Sequence, residues 1–312
     1  MQFFQFIFVN LFITISLYVY GSFLIKKNSK FYYASNIALS CIYGSIIVSF
    51  VSLILNFFVP INLFIGNIFI IISTILFLKT IYFEKKRNNI IYFIVIISLV
   101  SSLLLIFENI NRPDAGLYHI PFIQIIQENK ILIGINNIHF RYGHISIVQY
   151  LSAIFNNSIM PIEAMLAPIA IIVSSFYLFL ASFFKKNYQL PEVQIFVFLI
   201  SVYVFYSFNR YSNFGNDATA HLFFFLFLIK FYETITLNKN YEIGDIFLIS
   251  TFAFLQKPFM VFLFFFTLII YLKFYLKNLN IIKNKKIIFF LILIIFWLVK
   301  NILNSGCLIY PI

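Results

Sequence analysis

Long apolar segments recur along the whole chain, and they constrain its fold more than any other feature of the sequence. Hydrophobic side chains make up 62% of the 312 residues and charged side chains only 10%. Inside a bilayer the backbone has to satisfy its hydrogen bonds within the segment, so apolar runs long enough to cross predict transmembrane helices. We therefore expect an all-α integral membrane protein, with a single polytopic domain over residues 1–312.

Ten transmembrane helices are predicted, each an apolar run between charged or proline-containing breaks. The shortest run, 245–256, falls below the roughly 20 residues that cross a bilayer comfortably. Basic segments precede this run and follow the next one, so the two runs form a hairpin that either crosses twice or dips in and returns. Gln256, Lys257 and Pro258 lie at its turn. The predicted spans are 3–25, 33–57, 62–83, 90–107, 163–184, 192–208, 218–236, 245–256, 259–276 and 287–303.

Basic residues predict the orientation of these spans. With the N-terminus outside, sixteen of the 22 lysine and arginine residues lie on the inner side and six on the outer side. Cytoplasmic connections carry the excess of Lys and Arg, so we expect a multi-pass protein of the inner (plasma) membrane with its N-terminus outside. This distribution explains the net charge of +12, and the expected partners are membrane lipids and not nucleic acid.

The longest outer connection, residues 108–162, is expected to hold two amphipathic helices that lie along the membrane surface. One begins at Pro113 and Asp114, because a proline in the first turn and a carboxylate near the positive helix end favour a helix start, and it runs to Lys130. The other runs from Gly143 to Asn156. In both, apolar side chains recur at helical spacing between polar ones, which is typical of an interfacial helix.

Two groups of candidate functional side chains lie on the predicted outer side, which holds all four histidines. Asp114 stands between Arg112 and His119 and is either a helix cap or a reactive carboxylate. Asp217 and His221 are four residues apart and share one face of a helix, either as a capping pair or as polar groups facing a cavity.

Three basic side chains are candidates for binding an anion. Lys257, in the tight hairpin turn, either holds an anion or extends to the membrane interface. Arg141 and His144, in "HFRYGH", contact either lipid headgroups or a substrate. The two cysteines, Cys41 and Cys307, have no partner at metal-ligand spacing, so neither a zinc site nor a disulfide is predicted.

The motif "RPDAGLYHIPFIQIIQENK", followed by "GINNIHFRYGH", resembles two elements of the GT-C class of polytopic membrane glycosyltransferases, in particular of poorly characterised bacterial members. The elements are the "D-x-x-x-Y-H-x-P" opening of an outer loop and a downstream "N-x-H-x-R-x-G". The stretches "NDATAH", "LQKPF" and "NSGCLIYPI" add to the resemblance, which covers residues 108–312. Relatives usually extend beyond such an ending, so the resemblance implies a chain that continues past Ile312.

The resemblance implies a transferase that takes a sugar from a polyprenyl-phosphate-linked donor to an acceptor on the exoplasmic side. It makes Asp114 the base that takes the proton of the acceptor hydroxyl. It also implies that the leaving phosphate is bound by Lys257 or Arg141, or instead by a divalent metal ion. A carboxylate and a cation would stabilise the separating charges at low dielectric. The further substrate-binding candidates are Arg112, His119, His144, Asp217 and His221.

Two other interpretations stay open. A transporter or flippase of a lipid-linked or small polar substrate would carry ionisable groups near the bilayer midplane and repeated halves. Here most charges lie at the ends of predicted spans, and no clear internal repeat is found. The other interpretation is a non-catalytic or truncated relative of the transferases.

Overall fold

Helices occupy every predicted span in the computed structural model, which describes residues 2–25, 33–84, 87–107, 113–144, 146–155, 161–207, 216–236, 243–274 and 285–310. No strand occurs in those ranges. In chain order the helices are α1 (Gln2–Ser22), α2 (Tyr33–Phe58), α3 (Leu63–Phe83), α4 (Arg87–Phe107), α5 (Ile120–Glu128), α6 (Ile147–Ile154), α7 (Pro161–Asn187), α8 (Pro191–Tyr206), α9 (Asn216–Ile235), α10 (Ile243–Gln256), α11 (Phe262–Phe274) and α12 (Lys285–Ser305).

Seven of the described helices are long and apolar enough to cross a membrane, judged by length and composition. They are α1, α2, α3, α4, α7, α9 and α12. The other three predicted spans hold α8, α10 and α11, which are apolar but have only 16, 14 and 13 residues. The prediction of an all-α multi-pass membrane protein is therefore confirmed, while the count of ten crossings stays a prediction.

The chain folds as two compact units. The first consists of Met1–Lys130 and Gln149–Gly215, and the second consists of Ile131–Val148 and Asn216–Ile312. Helices α1 to α5, α7 and α8 belong to the first unit, and α9 to α12 belong to the second. A single domain over residues 1–312 stays a prediction.

In the first unit, α1 packs against α2, α3, α4 and α7. Its backbone approaches that of α2 closely at Gly21 and Gly44. A Cβ atom at Gly21 would collide with the carbonyl oxygen of Ser40, and one at Gly44 would collide with the carbonyl oxygen of Leu17. Small residues at helix contacts are typical of membrane proteins, because lipid tails are as apolar as the side chains and close backbone packing drives association.

Buried hydrogen bonds also join α1 to two of its neighbours. The amide nitrogen of Asn10 donates to the carbonyl oxygen of Ser98 at 3.0 Å and to the hydroxyl of Ser102 at 2.9 Å, both on α4. The hydroxyls of Ser16 and Ser73 lie 2.5 Å apart and join α1 to α3. Such bonds between helices contribute about 0.6 kcal/mol each on average in a membrane. They therefore add to the packing of α1 against α3 and α4.

In the second unit, α10 packs against α9, α11 and α12. Every residue of α10 from Leu248 to Gln256 is buried, so this helix forms the centre of the unit. Lys286 at the start of α12 and Asp245 at the start of α10 form an ion pair at 2.7 Å. At the other end of α10 the chain turns through a 3-10 turn, Pro258–Val261, into α11, which confirms the predicted hairpin turn.

The segment between α4 and α7 departs in part from the prediction. Helix α5 is amphipathic, with Phe122 buried and Gln124 exposed. Helix α6 is instead buried on every side, including its polar residues Gln149 and Ser152. It begins at Ile147, later than predicted, after a 3-10 turn over Phe140–His144. Because the protein itself covers its polar residues, α6 is a core helix and not a surface helix.

Candidate functional site

Asp114 stands at the start of a π-helical turn. This turn covers Ala115–His119 and leads directly into α5. The side chain of Asp114 is exposed and makes no capping hydrogen bond to the turn, so the helix-cap interpretation finds no support. π-helical turns are rare and often occur at functional sites. The carboxylate is thus exposed at the start of an irregular helical turn.

His119 anchors this turn from the inside. Its side chain is 4% exposed, and its Nδ1 lies 2.9 Å from the amide nitrogen of Gln149 on α6. An amide nitrogen donates, so Nδ1 is the acceptor of this bond. The ring also contacts that of Tyr118, with centroids 4.2 Å apart. His119 therefore fits a positioning role better than the predicted contact with substrate.

Further hydrogen bonds fix α5 in the first unit. The amide nitrogen of Asn56, near the end of α2, donates to the carbonyl oxygens of Ile126 at 3.2 Å and Asn129 at 2.9 Å. The amide nitrogen of Gln127 donates to the carbonyl oxygen of Ala153 at 3.3 Å. A carboxylate held on a rigid support keeps a fixed position for chemistry. Sequence patterns identified Asp114 but did not identify these supporting partners.

The second unit brings Asp217 and Lys257 into contact. Asp217 lies in the first turn of α9, and Lys257 directly precedes the 3-10 turn that follows α10. The lysine ammonium and the aspartate carboxylate form an ion pair, with side chains 35% and 50% exposed respectively. His221, one turn further along α9, is half-buried. Asp217 and Lys257, which the sequence patterns indicated as separate candidates, thus form one ion pair in the structure. Both side chains stay partly accessible to solvent.

A narrow cleft lies next to Lys257 in the second unit. Gln256 and Pro258, the two neighbours of Lys257, line it together with Trp297 and Asn301 of α12. Both atoms of the Gln256 amide and the indole nitrogen of Trp297 are buried, and none has a hydrogen-bond partner among the described residues. A buried polar group without a partner costs about 1 to 3 kcal/mol.

Lys300 is a further charged residue of this unit that the sequence patterns did not assign to a site. Its side chain is fully buried, and its ammonium lies 5.0 Å from the centroid of the Trp297 ring, close enough for a cation–π contact. The signal was present in the sequence, because a lysine within an apolar membrane segment is a functional-site candidate by default. The predicted topology places Lys300 among the six basic residues of the outer side.

Arg141 and Gly143 belong to the 3-10 turn Phe140–His144 of the second unit. Arg141 is exposed, and its guanidinium lies 5.7 Å from the centroid of the Phe140 ring, an arrangement that suits contact with lipid headgroups or with a substrate. The ring of Tyr310 packs directly on Gly143, where an added Cβ would lie 2.5 to 2.8 Å from carbon atoms of that ring.

The predicted residue Arg112 lies outside the described residues, as does the side chain of His144.

In the part of the chain that the structure describes, no group of three or more His, Cys, Asp or Glu side chains could hold a metal ion. Asp114 and His119 belong to the first unit. The other described candidates, Arg141, Asp217, His221 and Lys257, belong to the second unit.

Comparison with known proteins identifies a family. The model of the family described as "Domain of unknown function (DUF8201)" matches residues 4–312. No curated protein and no solved structure matches the chain significantly. The family match includes every described helix from α2 to α12 and both groups of candidate site residues. The chain therefore belongs to the DUF8201 family.

Proposed function

We propose that the protein is a membrane glycosyltransferase that moves a sugar from a polyprenyl-phosphate donor to an acceptor on the exoplasmic side of the inner membrane. The observation that carries the proposal is the exposed carboxylate of Asp114, which does not cap the π-helical turn that it begins. The motif around it resembles the outer-loop motif of the GT-C class. Asp114 is the proposed base for the acceptor hydroxyl.

The proposal assigns the leaving phosphate to Lys257 or Arg141. An ammonium has three donors, so Lys257 can bind a phosphate oxygen while it still contacts Asp217. Both side chains of this ion pair are partly exposed, so a ligand can reach them. Negative charge develops on the phosphate as the sugar leaves, and a cation placed beforehand stabilises that charge without reorganisation.

The proposed topology has ten crossings and an outer N-terminus. Seven of the described helices have the length to cross, and α8, α10 and α11 occupy the remaining predicted spans. Ten crossings would bring the excess of lysine and arginine to one side, as the positive-inside rule requires. In this arrangement the segment with Asp114 and the turn with Lys257 both face the exoplasm.

The test compares Asp114→Asn with the control Glu128→Gln, a loss of an exposed carboxylate in the same segment. Membrane vesicles would be supplied with labelled polyprenyl-phosphate hexoses and pentoses, and sugar transfer would be measured. Loss of a general base should reduce the rate on the order of 100- to 10,000-fold for Asp114→Asn, while the control keeps its rate. The proposal is contradicted if the unaltered protein transfers no sugar of the set, or if Asp114→Asn transfers at the full rate.

A transporter is the second candidate, and buried charges within membrane helices favour it. Lys300 on α12 is fully buried, and Lys230 and Glu233 form a buried ion pair at 3.3 Å on α9. Ionisable side chains inside membrane segments often mark substrate or proton pathways. Uptake of a labelled polyprenyl-phosphate sugar across proteoliposomes, lost in Lys300→Met but retained in Asp114→Asn, would favour this candidate over the transferase.

A further inference from the structure

A partly polar cavity lies at one end of the first four helices, within the first unit. Its walls come from the C-terminal end of α1, the start of α2, the residue after α3 and the first turn of α4. In the predicted topology this end faces the cytoplasm, whereas Asp114 faces the exoplasm. The polar side chains of the lining are Tyr18, Ser22, Tyr33, Asn36, Ser40 and Glu84.

Glu84 is the only charged side chain among the described residues that line this cavity. It is half-buried, and its carboxylate lies within electrostatic reach of the Tyr18 hydroxyl. A carboxylate has about four lone-pair sites, so Glu84 can accept a hydrogen bond from a ligand in addition to its contacts within the protein. A positively charged occupant is therefore attracted to the cavity, and a negatively charged one is repelled.

The hydroxyl of Tyr18 is a second group that a ligand can reach. The side chain lines the cavity and is only 7% exposed. Among the described residues its hydroxyl has no hydrogen-bond partner, and it is not one of the polar atoms that the protein encloses completely. Buried hydroxyls almost always have a partner. The partner of Tyr18 therefore has to come from an occupant of the cavity.

Two serines of the lining act as acceptors. The hydroxyl of Ser22 donates to the carbonyl oxygen of Val19 at 2.7 Å, and that of Ser40 donates to the carbonyl oxygen of Asn36 at 2.8 Å. A hydroxyl has one proton, so both oxygens keep only their capacity to accept. The matching occupant donates several hydrogen bonds and carries a positive charge. A primary ammonium group does so, because it has three N–H donors and no acceptor.

The volume of the cavity suits a small ammonium-bearing group. The cavity measures about 90 Å³. A water molecule takes up about 30 Å³ of the liquid, so at least about three non-hydrogen atoms fit. An aminoethyl group, with two carbons and one nitrogen, has this number of atoms.

Arg87 stands next to the cavity and can bind an anion outside it. This exposed residue begins α4, one turn before Ile90 of the cavity wall. Residues three apart on a helix are neighbours on its surface. A guanidinium often binds phosphate through two parallel hydrogen bonds. In an ethanolamine phospholipid the phosphate is joined to the ammonium through the aminoethyl group, so one headgroup meets both Glu84 and Arg87.

We propose that this cavity is a binding site for the primary ammonium of an aminoethyl group, held by the Glu84 carboxylate. The hydroxyls of Tyr18, Ser22 and Ser40 accept its remaining hydrogen bonds. Phosphatidylethanolamine of the inner leaflet and soluble ethanolamine both carry this group, and Arg87 favours the lipid. Because the ligand binds the folded state, it also stabilises the packing of the first four helices.

Lipid binding to the purified full-length protein in detergent tests the proposal by native mass spectrometry. Dioleoyl-phosphatidylethanolamine would be compared with dioleoyl-phosphatidylcholine, which has the same chains and phosphate but no N–H group. The N-acetylated ethanolamine lipid, which lacks the positive charge, is the second matched probe. We expect the ethanolamine lipid to bind about tenfold or more tightly than either, because both lack the charge-assisted N–H bonds.

Soluble ligands and Arg87 identify the source of the group. Ethanolamine and its trimethyl analogue choline would be added at equal concentrations while the melting temperature is recorded. A rise with ethanolamine and not with choline assigns the site to a soluble amine as well. With lipid as the natural ligand, Arg87→Gln should weaken binding of the ethanolamine lipid about tenfold, because the contact to phosphate is lost.

Variants of the cavity assign the binding to its acceptors. Glu84→Gln should weaken binding of the ethanolamine lipid about tenfold, whereas the control Glu192→Gln, an exposed carboxylate on the same predicted side, should bind normally. Tyr18→Phe removes only a hydroxyl and should weaken binding about threefold or more, which keeps the test open if Glu84→Gln does not fold. The proposal is overturned if neither ethanolamine nor its lipid binds better than the trimethyl counterpart, or if both cavity variants bind as the unaltered protein does.

Discussion

Asp217 and Lys257 form an ion pair that is partly open to solvent, with side chains 50% and 35% exposed. Exposed ion pairs typically contribute only about 0.2 to 1 kcal/mol, because water screens the charges and two long side chains lose freedom. Both groups can therefore exchange their contact for a ligand at little cost to folding. The sequence identified each residue by its place at a span end, but the packing of α10 against α9 decided that they meet.

We predict that Lys257→Ala lowers the free energy of unfolding by no more than about 1 kcal/mol. Sugar transfer should nevertheless fall about tenfold or more, because a charge-assisted contact to phosphate is lost. Thermal unfolding of the purified protein and the vesicle assay measure the two effects. Lys185→Ala, which removes an exposed lysine of α7, should change neither value. A loss of stability much above 1 kcal/mol would show that Lys257 is structural.

At the scale of elements, the pair α1 and α2 depends on two glycines. The backbones meet so closely at Gly21 and Gly44 that an added Cβ at either would collide with a carbonyl of the other helix. Hydropathy predicted both helices, because it depends on average polarity. It could not predict their contact, because a glycine in an apolar run looks the same whether it faces lipid or a neighbouring helix.

We predict that Gly44→Ala destabilises the protein by about 1 to 3 kcal/mol, because the backbone of α1 has to move away. Gly116→Ala is the matched control, since an added Cβ there meets no atom within 4 Å. In a helix, alanine is favoured over glycine by about 1 kcal/mol, so this control should be neutral or slightly stabilising. Melting temperatures of the two variants in one detergent provide the comparison. Equal melting temperatures would contradict the close contact of α1 and α2.

For the whole molecule, sidedness is the property on which the proposed function depends. The distribution of basic residues predicts that Asp114 faces the exoplasm and that Lys185, in the last turn of α7, faces the cytoplasm. Both side chains are exposed, so both positions can be labelled. Of the native cysteines, Cys41 is buried and Cys307 is partly exposed, so only Cys307 has to be removed beforehand.

We predict that, in a Cys307→Ser background, a membrane-impermeant maleimide labels Asp114→Cys in intact cells. The same reagent should label Lys185→Cys only after the membrane is made permeable, because the positive-inside rule places this end of α7 in the cytoplasm. Labelled protein on a gel gives the measurement. The Cys307→Ser protein without a new cysteine is the control and should stay unlabelled. The reverse pattern would place Asp114 in the cytoplasm and would end the proposal of exoplasmic sugar transfer.

The sequence by itself determined that this is an all-α membrane protein and where its helices lie, because a backbone in hydrocarbon has to satisfy its hydrogen bonds within each apolar run. It also singled out Asp114 and Lys257, since polar residues at span ends stand out in an apolar chain. Only the tertiary structure decided which polar side chains come together: His119 and Gln149 share a hydrogen bond, and Gln256 and Trp297 line one cleft. Hydropathy describes how apolar a segment is, whereas partners depend on which helix faces lie side by side.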